Sequence, residues 1–198
     1  MVIGITGGIG AGKSRVLEYL RRKYDAAIID TDAIGRNAIE PGGGVYAETR
    51  SLLGDACFLP DGRPDRPKIA SAVFQDAALL SQLNGIVHPY VVQTVRRKIE
   101  DRGESALCVI ESALLLESGL CTLCDSIWYI YADEKVRRKR LKESRGYSAE
   151  RIRVTMAAQK PDADFRRAAD AVIDNSGDFC ETASAVDAQL LSMKKGSE

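Results

Sequence analysis

Histidine is nearly absent from this chain: His88 is the only one, and tryptophan also occurs once. Charge of one sign is missing too, because 28 Lys and Arg offset 28 Asp and Glu. No global field therefore draws the protein to nucleic acid or to an anionic membrane, and any basic binding surface is local. No apolar run approaches the roughly 18 residues of a membrane span. No basic region stands ahead of an apolar core at the N-terminus either. These absences predict a soluble, cytoplasmic protein that engages neither nucleic acid nor membrane. Of five cysteines, Cys121 and Cys124 form a CxxC, but there is no second such pair, and His88 lies far away in sequence. Ordinary reduced thiols are expected there, rather than a zinc or redox centre.

The chain does have enough apolar residue to bury a core: 45% of 198 residues are hydrophobic, which suits a single domain with sizeable insertions. Short apolar strands alternate with longer helical patterns, so the fold class is α/β, a parallel sheet covered by helices on both faces. The strands are expected at VIGIT (2–6), AAIID (26–30), ALCVIES (106–112), SIWYIYA (126–132) and AVIDN (171–175). The segment between the second and third is too long for one crossover helix and reads as an insertion. It contains the loop PGGG (41–44), the turn-rich FLPDGRPDRP (58–67) and an apolar-periodic stretch from Ile69 to about Glu100 that reads as helices. A second helical insertion, rich in Arg and Lys, runs from Asp133 to about Phe165.

The densest chemical signal is GITGGIGAGKS, Gly4 to Ser14. From Gly7 it satisfies G-x-x-x-x-G-K-[ST], after a predicted strand and before the helical pattern Arg15 to Lys23. Glycines let the backbone curl so that successive N–H groups converge on phosphate oxygens, and the helix N-terminus adds partial positive charge. Lys13 is then expected to reach the β- and γ-phosphates, and the Ser14 hydroxyl to hold Mg²⁺. The second strand ends in Ile29-Asp30-Thr31-Asp32, where extended residues two apart point to one side of the sheet. One carboxylate there serves as general base, or Asp32 caps a helix beginning at Ala33; the two duties are compatible. In the basic stretch Lys135 to Arg145, Arg137 and Arg140 share a helical face, either as a solvated surface or as a lid closing over ATP. A GTPase would need a late Asn-Lys-x-Asp segment, which is missing. A motor or nucleotide-dependent switch retains only Glu111, near the end of the third strand, as its carboxylate.

Taken together, the P-loop, IIDTDAIGR (28–36), DGRPDR (61–66), VHPYV (87–91), LLLES (114–118), MAAQ (156–159) and ADAVIDNSG (169–177) resemble dephospho-coenzyme A kinases over nearly the whole chain. The resemblance implies a P-loop kinase fold with a five-stranded parallel sheet. It implies a core of about 1–34, 104–132 and 166–193, a helical acceptor-binding insertion of about 35–103 and a helical lid of about 133–165. It implies transfer from ATP, with Mg²⁺, to the ribose 3′-hydroxyl of dephospho-coenzyme A. The ATP site then falls on Gly10, Ala11, Gly12, Lys13, Ser14 and Arg15, with Asn175 beside the adenine. Asp32 is the implied base, Lys13 and Arg140 are the implied catalytic cations, and His88 and Pro89 lie in the acceptor-binding part. Three positions depart from the usual pattern: Arg15 where Thr often follows GKS, Ala113 where Pro is common, and Ser144 where a lid arginine is often found. Kinases of nucleosides, nucleotides or shikimate are the neighbouring enzyme readings, and an assembly ATPase is the reading from another class.

Overall fold

A computed structural model of the chain describes residues 1–103, 106–112 and 115–195. It contains two compact units, Met1–Ile29 with Arg102–Glu198, and Asp30–Asp101.

The first unit is built on the sheet β1 (Val2–Thr6), β2 (Ala27–Asp30), β3 (Cys108–Glu111), β4 (Ser126–Tyr131) and β5 (Ala171–Asp174), in the order β2-β3-β1-β4-β5. All five expected strands are present, each within two residues of its predicted bounds. β1 pairs in parallel with β3 and with β4, and β4 in parallel with β5. Every residue of β1 is buried, as a central strand covered on both faces requires. Ile3, Ile5, Val109, Trp128 and Ile130 are fully enclosed. Against them pack Val16, Leu17 and Leu20 of α1 (Lys13–Tyr24) and Val186 and Leu190 of α9 (Phe179–Lys195). The basic insertion folds as α6 (Glu134–Arg145), α7 (Ala149–Ala157) and α8 (Asp162–Ala168). Gly146 ends α6 in the left-handed conformation, with its N–H returning to the Lys142 carbonyl, and Ser148 caps α7 through the Arg151 N–H. Phe165 of α8 stacks on Tyr129 of β4 at 5.1 Å between ring centroids, anchoring the end of this insertion to the sheet.

The second unit comprises α2 (Thr31–Ala38), α3 (Tyr46–Leu53), α4 (Arg66–Gln75) and α5 (Ala77–Glu100), with α2, α3 and α4 packed on α5. A small core of Cys57, Phe58 and Ile69 lies under Tyr46, Leu53 and Val73. The stretch from Ile69 to Glu100, expected to be helical, is two helices. Asp76 breaks it, because its side chain accepts the Ala78 and Leu79 N–H groups and so starts α5 afresh. His88 and Pro89 lie inside α5 rather than at a helix end. Pro89 is exposed, so the ring occupies solvent instead of competing with packed side chains.

Candidate functional site

The turn from β1 into α1 is shaped by its glycines. Gly10 and Gly12 adopt left-handed backbone conformations (φ 79° and 90°), and a Cβ added at Gly12 would strike the Asn175 side-chain nitrogen. Four of the other helices, α2, α4, α5 and α7, receive a capping bond from an Asp or Ser side chain. α1 has no side-chain cap and no acidic residue in its first turn, which leaves its partial positive charge for an anion.

The loop's carbonyls, by contrast, are engaged. Lys13 Nζ donates to the Gly7 oxygen at 2.7 Å and to the Gly8 oxygen at 3.4 Å, so its ammonium is held within the loop. Ala11 O accepts from Asn175 Nδ2 at 2.7 Å and from Arg140 at 3.3 Å. Ile9 O accepts from Arg137 Nε at 2.8 Å. The Ile9 and Ala11 carbonyls are thus tied to side chains from other elements, which turns the N–H of the same peptides, those of Gly10 and Gly12, the opposite way. Ser14 is exposed in the first turn of α1, and the Arg15 guanidinium lies over the Phe179 ring, 4.1 Å from its centroid.

Arg137 and Arg140 both turn toward the loop, as their spacing on α6 predicts. Arg140 also donates to the Asn175 carbonyl at 2.8 Å. Burial and then the nearby Arg15 charge pull its pKa below the ordinary arginine value, which raises the gain on meeting an anion. Arg137 lies against Gly8, where any Cβ would collide with the guanidinium. Ser144 donates back to the Arg140 carbonyl of its own helix. Asn175 is 1% exposed, and its side chain is spent on Ala11 and on the Thr182 hydroxyl (3.1 Å). Its visible work is to hold the loop. Gln159, given no role by the sequence reading, bonds both the loop and Arg137. Its one signal in the sequence is its place as the last residue of MAAQ (156–159), which names no partner for it.

In the second unit, the capping duty falls on Asp30, not Asp32. Asp30 accepts the Ala33 N–H at 2.8 Å and faces Arg36 at 3.6 Å. The helix begins at Thr31, so the strand rule that placed both carboxylates on one side ends at Asp30. Asp32 is exposed in the first turn of α2 and makes no cap. His88 is half-buried on α5. Cys121 and Cys124 are free thiols at a short 3-10 turn, and burial pushes Cys124 up to about 12. Among the described residues no group of three or more His, Cys, Asp or Glu could hold a metal, and no helix is long and apolar enough to cross a membrane. Ala113 and Leu114, the first residue of the LLLES segment, lie outside the described residues.

Comparison with known proteins agrees with this geometry. The family model for dephospho-CoA kinase matches residues 1–181. The dephospho-CoA kinase of Leifsonia xyli is 38% identical over 190 residues, covering 94% of this chain and 96% of its own. That of Carboxydothermus hydrogenoformans is 37% identical over 183 residues, covering 91% and 88%. A crystal structure from Thermus thermophilus superposes with a TM-score of 0.84 at 30% identity, covering 98% of this chain and 97% of that one. With a phosphate-ready P-loop on a parallel five-stranded sheet and relatives matched over nearly its full length, the chain belongs to the dephospho-CoA kinase family, kinases that act on a hydroxyl acceptor.

Proposed function

We propose that the chain transfers the γ-phosphoryl group of ATP to the ribose 3′-hydroxyl of dephospho-coenzyme A, giving coenzyme A and ADP. The observation that carries this reading is the uncapped N-terminus of α1 beneath a loop whose Ile9 and Ala11 carbonyls are tied to Arg137 and Asn175, in a chain of this family. The phosphates of ATP seat on the loop from Gly10 to Arg15, whose Ala11 and Arg15 N–H groups are given to the Gly8 and Gly12 carbonyls, and Lys13 offsets the phosphate charge. Asp32, solvent-accessible on α2, accepts the proton as the ribose oxygen forms its bond to phosphorus and the bond from phosphorus to the β-phosphate oxygen breaks. Arg140 stabilises charge on the transferred group. Asn175 keeps Ala11 turned, and its place next to the adenine is the family's implication rather than a further duty of its occupied side chain.

Ser14 suits Mg²⁺: a lone exposed hydroxyl in the first turn of α1 is a hard oxygen donor for an ion whose other ligands are phosphate oxygens and water. When bound, the ion supplies positive charge to the β- and γ-phosphates. In this reading residues 35–103, with His88 and Pro89, bind the acceptor, and residues 133–165 form the lid that excludes water. Five free thiols fit a reducing, cytoplasmic setting.

The test is ATP consumption in parallel with dephospho-coenzyme A, nucleosides, nucleoside monophosphates, shikimate and no acceptor. Rapid ADP release is expected with dephospho-coenzyme A alone. Equal, slow hydrolysis in every well would replace the kinase reading with a nucleotide-dependent switch.

A further inference from the structure

Gln159, just past the end of α7, offers one side-chain oxygen to donors from two other elements. Its Oε1 accepts the Ile9 backbone N–H at 3.0 Å, at the tip of the phosphate loop, and Arg137 NH2 of α6 at 2.7 Å. Arg137 Nε closes the ring by donating to the Ile9 oxygen at 2.8 Å. The next residue, Lys160, pairs with Glu117 at 2.9 Å, so this end of the α6–α7 insertion is fixed at two neighbouring points. The amide oxygen has two acceptor sites and both are filled, one by a charged donor. With its N–H and its carbonyl both held, Ile9 keeps a fixed backbone orientation. Arg137, which presents five N–H donors, uses two in the ring and lies flat against Gly8.

We propose that Gln159 is a positioning residue for phosphoryl transfer, locking the loop tip and Arg137 into one arrangement so that the guanidinium's remaining donors face the nucleotide phosphates. The assignment rests on the kinase reading above. An apolar residue of the same length in this place would fill the space, leave the Ile9 N–H unpaired and free Arg137 to swing. The result is a loop that still binds ATP but is misaligned for transfer.

Two variants test this, Gln159→Met, which keeps the length and removes the acceptor, and Gln159→Glu, which keeps an acceptor oxygen. Coenzyme A and ADP production, melting temperature and hydrogen exchange at the Ile9 amide are measured for each. Gln159→Met is expected to lose about 10²-fold in kcat, as misplacement of a positioned group does. Its KM for dephospho-coenzyme A and its melting temperature stay near wild type, and ADP forms in excess over coenzyme A. Its Ile9 amide exchanges faster, and Gln159→Glu restores that protection. Wild-type kcat with one-to-one stoichiometry in Gln159→Met overturns the assignment, as does a lowered melting temperature with kcat intact. The exchange measurement needs no acceptor: a wild-type enzyme that makes no coenzyme A sinks the kinase reading, whereas unchanged Ile9 exchange in Gln159→Met sinks the Gln159 assignment by itself.

Discussion

Asp30 and Asp32 stand two residues apart at the end of one strand, and a change of backbone conformation between them separates their duties. Asp30 is still extended and caps α2, while Asp32 is already helical and exposed. Asp30→Ala is therefore expected to cost about 1 kcal/mol, the usual loss for an N-cap, and to lower the melting temperature by a few degrees. Asp32→Asn should leave melting unchanged and reduce kcat by roughly 10²–10⁴, the range for a lost general base. Steady-state kinetics and thermal melts on both variants decide it. Wild-type turnover in Asp32→Asn would remove the base assignment, and a larger catalytic loss at Asp30 would move it there. The pair D-x-D was legible in the sequence, but which member caps was not, because that depends on the residue at which the chain turns from strand to helix. The P-loop residues were legible because Lys and Ser after the last glycine have a chemical purpose that a plain turn lacks. Gln159 was visible as the end of MAAQ but its role was not, since that role lies in partners 150 and 22 residues away along the chain.

At the scale of elements, α5 carries a local contradiction. It runs unbroken from Ala77 to Glu100 through Gly85 and Pro89, two residues that weaken a helix interior. Pro89 lacks the N–H that would reach the Gly85 carbonyl, four residues back, so one helix bond is lost there. The helix persists because α2, α3 and α4 all pack on it. Gly85 is exposed, and nothing lies within 4 Å of a Cβ built on it. Gly85→Ala is thus expected to stabilise the protein by roughly 0.5–1 kcal/mol, read as a small rise in melting temperature with unchanged kinetics. A fall would mean that the backbone near Pro89 needs glycine's freedom. A residue before proline is biased away from helical geometry, which by local rules would end a helix at His88. Tertiary packing overrides that bias here. α3 went unread for a related reason: a two-turn helix between glycine-rich loops has too few periodic positions to announce itself.

Across the sheet-bearing unit, the first and last helices are clamped by one carboxylate. Asp187 of α9 accepts from Tyr19 (2.7 Å), Tyr24 (2.6 Å) and Lys23 (2.6 Å) of α1. Burial works against the charge, but the bonds from Lys23, Tyr24 and Tyr19 outweigh it and hold the Asp187 carboxyl below its usual range. A carboxyl lowered on folding contributes stability that is present above its unfolded value, about 3.9, and disappears as the pH falls through the folded one. Lys23, raised chiefly by its hydrogen bond to Asp187, contributes stability below its unfolded value that is lost only as the pH rises through the folded one. Asp187→Asn should therefore lower the melting temperature by a constant amount between about pH 5 and 9, and the gap should narrow below about pH 4. Melting curves that stay parallel down to pH 2 would show that Asp187 does not supply the acid dependence. By itself the sequence determined the α/β class, the five strands and the phosphate loop, since these follow from periodicity and short-range spacing that a linear reading carries, while the family rested on the resemblance of its motifs. The tertiary structure alone decided that Asn175 and Gln159 hold the loop, that Asp30 is the cap, that α5 survives its proline and that Asp187 joins two distant helices. Each of those depends on which donor meets which acceptor after the chain has closed on itself.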